Sequence, residues 1–117
     1  MAFPQDQIDE LKQAYNANVA LVVDAGKEYL LIQNLPLPNG CSPTETEALL
    51  CPTTHSGYTA RLFFAKRIQS SNNKSQLNWN ASGVRIAERV WHAFSWKDIP
   101  PNLRLLQLVE FFLRALR

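Results

Sequence analysis

The sequence predicts an α+β fold with an N-terminal helix, a four-stranded antiparallel meander and C-terminal helices, in one domain over residues 1–117. Three observations predict it. An amphipathic segment opens the chain, four strand-prone segments separated by turn signals follow, and an apolar segment closes it. A chain of 117 residues is long enough to bury one modest hydrophobic core.

The first element is a helix over about residues 5–15. Pro4 suits the first turn of a helix, and Ile8, Leu11 and Tyr15 repeat at helical spacing. The helix dipole favours acidic side chains near this end of the segment. Those acidic side chains are Asp6, Asp9 and Glu10. We therefore expect a short helix that packs one apolar stripe onto the rest of the protein.

Four strands are predicted between residues 19 and 68. The runs "NVALVV" and "EYLLIQ" flank the turn signal "DAGK", which predicts a hairpin. The segment "TEALLC" predicts a third strand that ends at Pro52, and "YTARLFFAKRI" predicts the fourth. The result is four successive antiparallel strands.

The last third of the chain predicts a long loop and two helices. The loop "QSSNNKSQLNWNASG" is polar, with Trp79 as one of its few apolar anchors. In "VRIAERVWHAF", the spacing of Val84, Ala87, Trp91 and Phe94 predicts a short helix. The segment "NLRLLQLVEFFLRALR" is apolar around most of its circumference, which predicts a helix that is largely buried or forms a protein interface.

Composition excludes several classes of protein. With 46% apolar and 19% charged residues, the chain is neither disordered nor membrane-spanning, since no apolar run approaches the ~20 residues of a membrane helix. The N-terminus has no signal-peptide pattern, so we expect a cytoplasmic protein. Cys41 and Cys51 lack zinc-ligand spacing, and we expect two free thiols, with one disulfide as the alternative. We expect no cofactor and no metal.

Charge is divided unevenly along the chain. Residues 1–59 hold two lysines against seven acids, a net charge of −5, and residues 60–117 hold ten basic residues against three acids, a net charge of +7. Such asymmetry fits either two ordinary solvated faces or a basic face for an acidic partner. A nucleic-acid-binding module is therefore one functional alternative, although no nucleic-acid-binding motif is present.

Several blocks of the sequence resemble one known family. Residues 35–50, "LPLPNGCSPTETEALL", resemble the block "PLP-G-x-x-x-T-x-x-x-LL" of a prokaryotic ubiquitin-conjugating-like family, the family E branch of the UBC-like superfamily. The segments "SGYTARLFF" and "VWHAFSW" resemble that family's "PGYPDxPPDMF" and "WQRFSRH" in the same order. This chain lacks the prolines of the second block and has Trp96-Lys97 after the serine of the third.

The resemblance implies a UBC-like fold and a role in a bacterial ubiquitin-like conjugation pathway, with phage defence as one guess for its biological role. The partners it implies are an activating enzyme, a ubiquitin-like protein and a protein target. The matching "FS" makes Ser95 the implied nucleophile, which would carry the ubiquitin-like protein as an oxyester. On a helical turn, His92 would face the same side as Ser95 and accept its proton, and Asp98 would orient a donor or accept the target's proton.

Two alternatives stay open. In the first, the fold is catalytically silent and serves as an adaptor, with "SWKD" as a helix-capping pattern. In the second, a cysteine or another serine is the nucleophile. The resemblance also implies that the acidic N-terminal helix (Asp6, Asp9, Glu10) docks the activating enzyme. The tryptophans Trp79, Trp91 and Trp96 are expected either to pack in the core or to wall the channel for an extended ubiquitin-like tail.

Overall fold

The computed structural model describes residues 3–52, 60–70, 79, 81–94 and 103–116. Its helices and strands are α1 (Gln5–Tyr15), β1 (Val19–Asp24), β2 (Lys27–Pro36), β3 (Cys41–Ser42), β4 (Glu45–Cys51), β5 (Arg61–Phe64), β6 (Gln69–Ser70), β7 (Ala81–Ile86), β8 (Arg89–Ala93) and α2 (Leu105–Leu113), which continues as a 3-10 turn, Arg114–Leu116. The fold is α+β, as the sequence predicts.

Six of the strands form one curled antiparallel sheet in the order β1-β2-β4-β5-β8-β7. The four predicted strands are β1, β2, β4 and β5, and they are successive neighbours, so the meander is confirmed. The short strands β3 and β6 pair with each other outside this sheet and were not predicted. At two residues each, they are too short to leave an alternating pattern in the sequence.

The helix predicted over "VRIAERVWHAF" is wrong, because this segment forms the hairpin β7–β8. The hairpin turns at Ala87 and Glu88, whose φ angles are 51° and 66°, the left-handed values of a tight hairpin turn. Trp91 and Ala93 are both buried, which is the period of two of a strand. The sheet therefore has six strands instead of four, and one α-helix follows it in the described chain instead of two.

Both faces of the sheet bury apolar side chains. The first face packs against α1 and α2, and its cluster includes Leu11, Leu50, Phe64 and Val109, all fully buried. We call this the helix-side cluster. The second face carries a smaller cluster, which we call the second cluster. Its buried members are Tyr29, Leu49, Cys51, Phe63, Ile86, Trp91 and Ala93.

The C-terminal helix is mainly a core element, the first of the two roles that its sequence predicts. Its buried residues are Leu105, Leu108, Val109, Phe112 and Leu113, with Leu116 in the turn that follows. No helix in the described part of the chain is long and apolar enough to cross a membrane.

The hydroxyl of Tyr29 gives the second cluster a pH dependence. Burial raises the pKa of Tyr29 above the ordinary value of 10.0, and Cys51 and Asp24 raise it further. Above about pH 10 the unfolded chain ionises this tyrosine while the folded chain does not, so the free energy of unfolding falls as pH rises through the folded-state pKa.

We predict that Tyr29→Phe removes this loss. Urea unfolding of both proteins on either side of pH 10 measures it, and the titration of all other groups cancels in the difference. Two stability profiles that stay parallel throughout this range would contradict the assignment.

Candidate functional site

The predicted nucleophile segment joins the sheet to the C-terminal helix. Ser95, Trp96 and Asp98 lie outside the described residues, so their predicted roles stay predictions. The structure does describe the residues where this segment begins and ends, Phe94 and Leu103. The candidate site is therefore defined by the residues at these two ends.

Phe94 fixes the entry to this segment by its ring. It is 2% exposed, and its ring centre lies 5.9 Å from that of Phe64 in a stacked arrangement. The rings of Trp79 and Phe112 meet it edge-on, with centres at 5.3 and 6.1 Å. Each such aromatic pair contributes about 0.5–1.5 kcal/mol beyond the area it buries. Phe94 thereby joins β5, α2 and the loop residue Trp79 at one point.

Arg61 holds the backbone of Phe94. The pairing of Phe64 with His92 brings the chain after Ala93 alongside the start of β5, where Arg61 lies. Arg61 is 2% exposed, and its Nη2 donates a hydrogen bond of 3.3 Å to the carbonyl of Phe94. A guanidinium is costly to bury unless its donors are used, so this contact makes the position of the Phe94 carbonyl specific.

The far end of the segment is fixed to α1. Arg104 lies 3.1 Å from the carboxylate of Asp6 and 3.2 Å from that of Glu10. The first N–H of α2, that of Leu105, donates to the Gln7 side chain at 3.0 Å. Four N–H groups at the start of a helix have no partner within it, so Gln7 of α1 satisfies one of them for α2.

These contacts bear on the acidic residues expected to dock a partner. Asp6 and Glu10 bind Arg104 in their own chain, and the hydrogen bonds that Arg104 donates to these carboxylates, followed by the charge of Glu10, hold the pKa of Arg104 above its usual range. Asp9 accepts a hydrogen bond from the Gln5 side chain at 3.0 Å. Exposed ion pairs are weak, so a partner could compete for these carboxylates, and docking at α1 stays a prediction.

His92 lies in a strand, and the helical spacing behind its predicted role is wrong. In β8 it is opposite Phe64 and Ser82, beside the bulge that Gly83 makes at φ 78°. Its Nδ1 accepts a hydrogen bond of 3.3 Å from the Gly83 N–H. In a neutral imidazole the nitrogen that accepts is the one that could take a proton. His92 would therefore have to release Gly83 before it could serve Ser95 as a base.

The described tryptophans are packing residues. Trp91 is 2% exposed and donates its indole N–H to the Ile86 carbonyl at 3.2 Å. The guanidinium of Arg89 lies 4.6 Å above its ring and is paired with Glu47 at 2.8 Å. Trp79 is half-buried against Phe94, so of the two it is the one with surface left for a partner.

Neither cysteine is placed to act as a nucleophile. Cys41 is 6% exposed in the helix-side cluster, and Cys51 is fully buried in the second cluster on the other face. Both are free thiols, as the sequence predicts, and Cys41 donates to the Leu116 carbonyl at 3.7 Å. A thiol must reach its substrate to attack it, and these two are enclosed in the core.

Sequence reasoning missed Arg61. The signal available was a lone arginine at the head of the apolar run "RLFF", where its neighbours are all buried. Among the described residues, no group of three or more His, Cys, Asp or Glu side chains is placed to hold a metal ion.

Comparison with protein-family models, with curated proteins and with solved structures found no match to this chain.

We predict that Arg61→Met lowers the free energy of unfolding by about 1–3 kcal/mol, because it removes the donor from the Phe94 carbonyl while keeping the apolar stem. Arg85→Met, at an exposed arginine of β7, is the matched control and should change it by less than about 0.5 kcal/mol. Urea unfolding measures both. Equal stability of Arg61→Met and the wild type would show that this contact does not hold Phe94.

Proposed function

We propose that this protein is a UBC-like acyl carrier that accepts a ubiquitin-like protein from an activating enzyme and holds it as an oxyester on Ser95. The observation that carries the proposal is the double anchoring of Phe94, the residue directly before Ser95, by three aromatic rings and the buried Arg61. A reacting side chain gains from a fixed backbone, because misplacement by an ångström costs orders of magnitude in rate.

The order of elements supports the same proposal. The UBC-like resemblance implies an N-terminal helix, a four-stranded meander, the nucleophile segment and then C-terminal helices. The described chain has this order up to its end, where one α-helix follows the sheet instead of several. The β7–β8 hairpin is an addition to that order. It leads the chain directly to Phe94, which lies alongside the start of β5.

In the proposed reaction, the Ser95 hydroxyl attacks the activated carboxyl carbon of the ubiquitin-like protein. The bond from that carbon to the activating enzyme's leaving group breaks, a C–O ester bond forms, and the hydroxyl proton passes to the leaving group. A target nucleophile then attacks the ester, and the Ser95 oxygen takes a proton back as the C–O bond breaks. Because Nδ1 of His92 accepts from Gly83, this scheme gives the Ser95 proton to the leaving group, and Asp98 keeps its predicted role of accepting the target's proton.

The burial of both cysteines supports serine over cysteine as the carrier. The catalytically silent adaptor is the competing function. It would use the same anchored segment only for binding, and it predicts a stable complex without any covalent adduct.

The test is an adduct assay with the cognate activating enzyme, the ubiquitin-like protein, ATP and magnesium. We expect a slower-migrating adduct on denaturing gels that survives thiol reductant and is cleaved by hydroxylamine. Ser95→Ala should abolish it, and Ser95→Cys should convert it into an adduct that thiol reductant cleaves, because a thioester replaces the ester.

Ser42→Ala, at an exposed serine of β3, is the matched control and should leave the adduct unchanged. An adduct that persists in Ser95→Ala would contradict the assignment of the nucleophile. A stable complex on a sizing column, with no adduct from the wild type, would establish the adaptor instead.

A further inference from the structure

The two edges of the six-stranded sheet differ in how they are protected. The β7 edge is interrupted by the bulge at Gly83 and carries the exposed Arg85, two features that discourage pairing with another strand. The β1 edge has an unbroken register with β2 and contains neither proline nor lysine. Among the described residues, β2 is the one strand that pairs with β1.

The outer side of β1 offers a regular row of backbone groups. Asn18 faces Gln33 of β2, and the Gln33 N–H donates a hydrogen bond of 2.9 Å to the Asn18 carbonyl. Backbone direction alternates along an antiparallel strand, so Ala20 and Val22 also face β2. The N–H and C=O groups of Val19, Leu21 and Val23 consequently point away from the sheet.

The same three residues carry apolar side chains on the helix side of the sheet, since Val19 packs against the helix-side cluster. Beyond the cover of α1, Leu21 is 47% exposed and Val23 is 60% exposed. They are two of the three large apolar side chains exposed in the described chain. An apolar row exposed to water and a hydrogen-bonding edge that no described strand covers therefore lie at the same place.

We propose that β1 pairs with β1 of a second copy of this chain, antiparallel about a two-fold axis at Leu21, to make one continuous sheet across a homodimer. In this register Leu21 is opposite Leu21, and Val19 is opposite Val23. All three outward residues of each copy are then used, in about six main-chain hydrogen bonds. Moving the axis by one residue pairs Val19 with Ala25, which lies in the hairpin turn at φ 50°.

Side-chain complementarity makes a second copy the partner. Val19, Leu21 and Val23 of both copies form one apolar row on the helix side, with no charged residue in it. On the other face, the two-fold axis places Asn18 of each copy opposite Asp24 of the other copy. An amide donor meets a carboxylate at each site, and no two like charges are brought together in the strand pair.

A single strand pair is small against the roughly 1,000 Å² that a stable specific interface buries, so we expect a weak dimer that forms at micromolar or higher concentration. This inference is independent of the proposed acyl-carrier function, and either can fail without the other.

Cysteine crosslinking tests the register. Across the axis the two Leu21 Cα atoms lie about 5.5 Å apart, which suits a disulfide, whereas the two Val23 Cα atoms are about 14 Å apart. The native cysteines are buried and should not interfere. Under mild oxidation we expect Leu21→Cys to form crosslinked dimers at least tenfold faster than Val23→Cys. Equal rates, or no crosslinking at Leu21→Cys, would overturn the proposal.

Sedimentation velocity over a concentration series tests the dimer itself. We expect the wild-type mass to rise from 13.3 kDa toward twice that value, and Leu21→Lys to stay at 13.3 kDa because two ammonium groups meet at the axis. Val90→Lys, at the exposed valine of β8, is the matched control and should dimerise like the wild type. Circular dichroism confirms that both variants fold. A wild type that stays at 13.3 kDa at every concentration would overturn the proposal, and it is the result expected if the edge instead binds a strand of another protein. Loss of the dimer in Val90→Lys would also overturn it.

Discussion

The arrangement of this protein depends on the burial of Phe94. Its ring connects β5, Trp79 and α2, and its carbonyl accepts from the buried Arg61. The end of β8, the sheet and the C-terminal helix meet at this residue. The buried guanidinium of Arg61 needs a hydrogen-bond acceptor in the right place, and the buried ring of Phe94 needs neighbours that match its shape. These two requirements together fix the position of the backbone at Phe94.

The residues that hold the fold are distinct from the segment that is proposed to carry the acyl group. Residues 95–102 run between two fixed ends, Phe94 on the sheet side and Arg104 at the contact with Asp6 and Glu10. Binding and catalytic residues are often carried by segments between rigid elements, because such segments can vary without loss of the core. Asp6 and Glu10 of α1 hold Arg104 at the far end of this segment, and the docking of a partner on the same carboxylates stays a prediction.

The sequence predicted the fold where local patterns were unambiguous. The hairpin β1–β2 and the strands β4 and β5 have strand-prone runs between turn signals, and α1 has one clear apolar stripe. The β7–β8 hairpin was missed because Val84, Ala87, Trp91 and Phe94 also satisfy helical spacing, and the turn has no glycine at Ala87 or Glu88 to reveal it. At the candidate site, the assignment of Ser95 as the nucleophile rests on the resemblance and stays a prediction. Neither the engagement of His92 with Gly83 nor the role of Arg61 could be predicted, since both depend on contacts between distant strands.

The central claim is that the segment after Phe94 carries the acyl group. The most direct measurement is tandem mass spectrometry of the loaded protein after digestion with trypsin at mildly acidic pH, which preserves esters. Cleavage after Arg89 and Lys97 releases residues 90–97, in which Ser95 is the one hydroxyl side chain. The account predicts a C-terminal remnant of the ubiquitin-like protein on Ser95, removable by hydroxylamine. A remnant on Lys97 or on a residue outside this peptide would contradict it.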